Sequence, residues 1–173
     1  MIKTGIGQDS HRFEPDTSSK VLMLGGVAIP GCPGLLGNSD ADVILHALTN
    51  AVSGITGNNI LGSISDVMCL QQGITDSKHY LEAALTFLDC WKLTHLSVTI
   101  EAKRPHLQQH IPVIRTSLAS LLRLTPADIG ITATTGEGLT AFGRGKGIQV
   151  FAIVTAVHCS LLPYAENAMV SGK

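Results

Sequence analysis

Asp9 and His11 set a carboxylate and an imidazole two residues apart in the run Asp-Ser-His. On an extended segment both side chains point the same way. A third candidate ligand, His46, falls in a stretch of helical periodicity. Two imidazoles and one carboxylate suit Zn²⁺, with a fourth position open to substrate. The same residues serve equally as surface polar groups, and spacing alone does not choose between the two readings.

A second constellation is Ala133-Thr134-Thr135-Gly136-Glu137-Gly138-Leu139, after a predicted strand. Hydroxyls and freed backbone N–H groups at such a turn can hold phosphate oxygens. Glu137 could hold a hard divalent cation that bridges phosphates. An ordinary strand-to-turn exit is the competing reading. The glycine-spaced basic loop Gly143-Arg144-Gly145-Lys146-Gly147 suits an anion, but it lacks the GK[ST] ending of a Walker-type nucleotide site. A third segment, Leu35 to Asp40, ends at the start of a helix, and helix N-termini attract anions. Ser39 can cap that helix or contact a phosphate. His79, His95, His106, His110 and His158 have no ligand spacing.

These residues need elements to hold them. Ile2 to Ile6 reads as a short strand running into a polar loop, Gln8 to Arg12. Val21 to Leu24 and Val27 to Ile29 flank Gly25-Gly26 as a hairpin. Pro30 to Gly37 reads as loop. Asp40 to Gly54 is the clearest helix, with Val43, Ile44, Ala47, Leu48, Ala51 and Ile55 on one apolar face. Ser39 and Asp42 form its expected capping box. Asp42 and His46, four apart, are expected together on the polar face. Residues 58–73 show no clean period and read as a flexible loop. Asp76 to Leu88 and Pro112 to Leu122 read as further helices. Leu96 to Ala102, Ile129 to Ala133 and Ile148 to Val157 read as strands, the last expected to be buried on both faces. The economical packing is α+β, a two-layer α/β sandwich. Residues 1–160 read as a single domain and residues 161–173 as a flexible C-terminal tail.

The chain has 173 residues, with 12 Lys and Arg against 13 Asp and Glu. This balance offers no electrostatic footprint for nucleic acid or an acidic membrane. Charged residues are only 14% of the chain, against roughly 25% in typical soluble domains. So little charge covers a small domain poorly, which points to burial against other subunits. No apolar run reaches the roughly 20 residues of a bilayer helix, and the N-terminus has no apolar signal core. Four scattered cysteines, Cys32, Cys69, Cys90 and Cys159, form no CxxC pair. A cytoplasmic protein with reduced thiols is expected.

Taken together, GQDSHRF, LGGVAIP, GLLGNSDADVILHALTNAV, TDSKHYL, VTIEAKRPHLQQHIPVIR and ATTGEGLTAFGRGKGI closely resemble the 2-C-methyl-D-erythritol 2,4-cyclodiphosphate synthase family of the non-mevalonate isoprenoid route. The matching stretches cover nearly the whole chain, in family order. The resemblance implies a homotrimer of two-layer sandwiches. Each small mixed sheet faces the threefold axis, helices lie on its other face, and the active sites lie between subunits. It implies Zn²⁺ on Asp9, His11 and His46, and Mg²⁺ or Mn²⁺ on Glu137 and the substrate phosphates. Asn38 and Thr135 take the positions of catalytic residues. Ser10, Ser39, Asn59, Asp66, Gly136 and Arg144 join them and the metal ligands around the substrate. The cytosine is implied to lie against Ala102, Pro105, His106 and Leu107, with Thr134 and Thr135. The implied reaction is cyclisation of 4-diphosphocytidyl-2-C-methyl-D-erythritol 2-phosphate, with release of CMP.

The chain departs from the family pattern in the substrate loops. Asn38-Ser39 replaces His-Ser, Asn59-Ile60-Leu61 replaces Asp-Ile-Gly, and Ile64-Ser65-Asp66-Val67-Met68 replaces Phe-Pro-Asp-Thr-Asp. Pro105-His106 replaces Pro-Lys, and Ala141 stands where an aromatic is common. The implied zinc ligands are intact. Two other functions fit a zinc and phosphate loops. One is a metal-dependent phosphohydrolase, which would release phosphate rather than a cyclic product. The other is a non-catalytic zinc-bearing trimer that binds an isoprenoid diphosphate; retention of Thr135 and Glu137 argues against it.

Overall fold

Ile2–Arg12 form β1 in a computed structural model that describes residues 1–161. The expected loop from Gln8 is therefore strand. Its residues continue to pair with the last strand as far as Arg12 opposite Gly147, and that ladder satisfies their backbone groups. β2 (Val21–Leu24) and β3 (Val27–Pro33) form the expected hairpin, with β3 running past Ile29. Then follow α1 (Val43–Thr56), α2 (Ser63–Asp66), α3 (Lys78–Leu85), β4 (Trp91–Glu101), α4 (Ile111–Leu122), β5 (Ile129–Thr134) and β6 (Gly147–His158). Most of the expected tail lies outside the described residues.

The main sheet has the order β1-β6-β4-β5. Only β4 and β5 run parallel, so the sheet is mixed, as expected. Helices α1 and α4 cover its inner face. Leu96, Val98, Ile100, Val150, Ala152 and Val154 are buried there with Ile44, Leu48 and Leu118. The other face follows the alternation of the strands. Ile148, Val150, Ala152, Val154 and Ala156 of β6 are fully buried, but Phe151 and Ile153 between them are each 40% exposed. The expected burial of β6 on both faces is not met within one chain, because one layer of helices can cover only one side of a sheet.

Gly5 and Gly7 let α1 lie unusually close to β1. A Cβ on Gly5 would stand 2.1 Å from the Ala51 carbonyl oxygen, and one on Gly7 would stand 2.0 Å from that of Ala47. Both would strike backbone, which cannot move aside as a side chain can.

The capping box expected at Ser39 is corrected. Asp42 is the N-cap, and its carboxylate accepts from the N–H groups of Ile44 at 3.1 Å and Leu45 at 3.0 Å. It also accepts from Gly25 at 2.9 Å and Gly26 at 2.6 Å. Asp42 is thus fully buried and pins the β2–β3 turn to the helix, instead of lying on a polar face. Asp42→Ala would leave four backbone donors without this acceptor. The expected loss is about 3 kcal/mol or more, read from urea unfolding. Asp42→Asn, which keeps one acceptor oxygen, should lose less.

Residues 58–73 are also more ordered than expected. Ser65 Oγ accepts from Gly62 N–H at 3.0 Å, α2 follows, and Val67–Gln71 add a wide helical turn. Among the described residues, no helix is long and apolar enough to cross a membrane.

Candidate active site

In β1 the residues of one parity face α1. Gly5 and Gly7 make the close approach, and Asp9 and His11 continue the same face toward the helix. His46 lies one turn into α1 and is only 8% exposed. Its position, expected on a polar outer face, is inside, against the strand. The result is a three-residue cluster. Asp9 Oδ2 lies 3.0 Å from His11 Nε2 and 2.9 Å from His46 Nδ1. The two imidazole nitrogens are 3.3 Å apart.

The far side of each ring is also held. His11 Nδ1 lies 2.8 Å from the Leu36 carbonyl oxygen, which can only accept, so Nδ1 donates. Nε2 then faces the cluster. His46 Nε2 lies 2.9 Å from Ser77 Oγ, and the Ser77 hydroxyl donates to Asp40 Oδ1. Burial works against ionisation of Asp9, yet hydrogen bonds from His11 and His46 and their charge hold its carboxyl well below the usual range. The hydrogen bond to Asp9 raises the pKa of His11, with burial opposing it. The ligand atoms of Asp9, His11 and His46 all lie within 4.8 Å of one another. An ionised carboxylate and two imidazole nitrogens this close together could hold a metal ion, which would take the place of the proton between Asp9 and His11.

The loop before α1 passes over this cluster. A Cβ on Gly37 would come within 3.5 Å of the His11 ring. Asn38 is the next residue and is exposed, and Ser39 is half-buried. Ser39 Oγ accepts from Ala41 N–H at 3.1 Å. Lys20, which carries no sequence signal, reaches this rim and donates to the Gly37 carbonyl at 2.9 Å. Ser10 has the opposite parity to Asp9 and His11, and is exposed on the outer face of the sheet. Asn59 and Asp66 are exposed, beside the buried anchor Ile60.

The second constellation lies elsewhere in the chain. Thr134, Thr135 and Glu137 are exposed at the end of β5. Gly136, Glu137 and Gly138 all have positive φ, near 54°, 52° and 72°, so the backbone coils tightly here. Glu101, also passed over by the sequence reading, accepts from the Thr140 hydroxyl and supports this turn. Arg144 donates to the carbonyls of Leu139 at 2.7 Å and Gly138 at 3.3 Å. Ala102 N–H donates to Thr134 O at 3.0 Å, so the 102–107 loop adjoins the turn. Ala102 and Leu107 are buried, Pro105 is half-buried and His106 is exposed.

The sheet register shows how the two constellations relate. Asp9 pairs with Val150, Val150 with Ile100, and Ile100 with Ala133. The triad and the Thr134–Gly138 turn therefore stand at the same end of the sheet, but on opposite edges. Three strand spacings put them about 14 Å apart. One chain does not bring them together.

A family model described as the YgbB family matches residues 2–157. The chain belongs to the YgbB family. A relative from Chlamydia trachomatis serovar L2b, named 2-C-methyl-D-erythritol 2,4-cyclodiphosphate synthase, is 46% identical over 159 residues, covering 91% of this chain and 89% of its own. A solved synthase structure, described as a bound form with CDP, has a TM-score of 0.74 at 31% identity, covering 90% of this chain and all (100%) of its own. The bifunctional IspDF of Campylobacter jejuni has a TM-score of 0.82 at 29% identity; the match covers 91% of this YgbB-family chain but only 42% of that longer one. The Asp9–His11–His46 cluster lies within the matched region of the YgbB family model.

Proposed function

We infer that this chain is an enzyme that cyclises 4-diphosphocytidyl-2-C-methyl-D-erythritol 2-phosphate to 2-C-methyl-D-erythritol 2,4-cyclodiphosphate and releases CMP. The observation that carries the reading is the Asp9–His11–His46 cluster, in a chain whose relatives bear that synthase name over nine-tenths of its length. The CDP in a similar structure supports a cytidine-diphosphate-linked substrate.

Asp9, His11 and His46 would hold Zn²⁺. Their donor atoms stand 2.9 to 3.3 Å apart, close enough for one ion to meet all three. Glu137 would hold Mg²⁺ or Mn²⁺. When bound, the metals would supply positive charge to the diphosphate and the departing CMP. The attacking 2-phosphate oxygen is already anionic, so the protein needs no general base. Its task is to fold the substrate for in-line attack on the β-phosphorus. Thr134 and Thr135 donate to phosphate oxygens, Arg144 adds positive charge, and the Ala102–Leu107 loop receives the cytosine.

A homotrimer closes the site by setting the β1 edge of one subunit against the β5 edge of the next. The outer face of the sheet supports this, with Ile2 65%, Ile6 63%, Phe151 40% and Ile153 40% exposed in the single chain. Large apolar side chains exposed on one sheet face are a common place for subunits to meet. Incubating the protein with the substrate and assaying CMP and the cyclic diphosphate tests the reaction; free phosphate in place of a cyclic product would overturn it. Mixing a zinc-ligand variant with a Thr135 variant tests the shared site. Some activity should return, since some interfaces then carry two intact halves. A stable monomer in light scattering would defeat the trimer.

Asn38 stands where the family has His. It lies at the rim of the cluster and donates through its amide without charge. Loss of one preorganised donor costs on the order of 10²-fold in rate. Asn38→Ala should fall by about that factor while zinc content stays constant. Parent turnover in this variant would exclude the residue from catalysis.

A further inference from the structure

We propose that Ser77 and Asp40 are positioning residues for the metal ligand His46, and that they set which of its two ring nitrogens faces the metal. This inference rests on the metal assignment above and deepens it.

The argument follows from the count of hydrogens. Ser77 is fully buried, and His46 nearly so. The Ser77 hydroxyl carries one proton, and it donates that proton to Asp40 Oδ1. The backbone N–H of Ser77 donates to the other carboxylate oxygen, Oδ2, at 3.2 Å. Ser77 Oγ therefore has only a lone pair left for His46 Nε2, 2.9 Å away. Nε2 must carry a hydrogen, so once a metal replaces the proton that Nδ1 shares with Asp9, the lone pair of the neutral ring is on Nδ1. Nδ1 is the atom that faces Asp9 and His11, at 2.9 Å and 3.3 Å.

Asp40 is itself fixed from two sides. Its Oδ1 accepts from Asp42 N–H at 3.2 Å, and its own N–H donates to the Thr75 carbonyl at 2.8 Å. The relay therefore joins the start of α1 to the segment leading into α3. It holds the edge of the imidazole opposite the metal, so the ring cannot flip without breaking a buried hydrogen bond. The two histidines are supported differently. His11 leans on a neutral backbone carbonyl, whereas His46 leans on a hydroxyl backed by a carboxylate. A carboxylate behind an imidazole raises its basicity toward a metal.

The test measures zinc affinity by chelator competition, and the protonated nitrogen of His46 by long-range ¹H–¹⁵N NMR of the zinc-loaded protein. The parent should show the hydrogen on Nε2. Ser77→Ala should bind zinc about 10- to 100-fold more weakly with its circular dichroism unchanged. Asp40→Asn, whose amide oxygen can still accept the hydroxyl proton, should lose less. A hydrogen on Nδ1 of His46 in the parent, or parent affinity in Ser77→Ala, would overturn the proposal. If Ser77→Ala does not fold, Asp40→Asn decides, and parent affinity there overturns it. Full zinc content in His46→Ala would instead overturn the metal assignment itself, so the two failures are distinguishable.

Discussion

His46→Ala is expected to lose its zinc and to drop turnover by on the order of 10³-fold, the upper range for removing a preorganised electrostatic group. Two ligands, Asp9 and His11, are too few to hold zinc tightly in a tetrahedral site. The substitution leaves α1 in place, because alanine favours helix and the helix keeps its buried Val43, Ile44, Ala47, Leu48 and Ala51. Elemental analysis measures the metal and circular dichroism the fold. The parent should also bind zinc more weakly as pH falls, since a proton on His11, held there by Asp9, competes with the metal. Full zinc in a folded His46→Ala protein would refute the assignment.

Glu137→Gln is expected to keep its zinc and lose on the order of 10²- to 10³-fold in turnover. Glu137 is not among the three grouped ligands Asp9, His11 and His46, so zinc content should not respond. Gln keeps the shape but not the charge that attracts a hard cation. The variant should need a higher Mg²⁺ or Mn²⁺ concentration for half-maximal rate. Its backbone is already in the left-handed region, at φ 52°, and Gln meets the same steric demand there, so the turn should survive. A rate equal to the parent's with unchanged metal dependence would remove Glu137 from the mechanism.

These two effects concern residues that could be named from their types and spacing, but the framework around them was legible to different degrees. The hairpin at Gly25-Gly26 and the body of α1 were readable because local chemistry decides them. Two glycines specify a tight turn, and apolar residues at helical spacing specify a face. The extent of β1 was not readable. Gln8 to Arg12 look like a polar loop, and become strand only because β6, some 140 residues later, supplies the partner ladder. The N-cap failed for a similar reason. Ser39 and Asp42 are both good caps locally, and the choice fell to Asp42 because the β2–β3 turn presents two more N–H groups to its carboxylate.

The sequence by itself determined which chemical groups are present and which lie close along the chain. Asp9 and His11 share a face because strand parity makes them do so. The turn at Thr134–Gly138 coils because glycines permit it. Tertiary structure alone decided that His46 points inward. Gly5 and Gly7 leave no Cβ between β1 and α1, and the close approach turns an apparently polar helix face into the wall of the site. It also backed His46 with Ser77 and Asp40, from segments 31 and 6 residues away. Finally, it set the triad and the Glu137 turn on opposite edges of one sheet. Strand order arises from pairing between distant segments, and no local pattern in the chain carries that information.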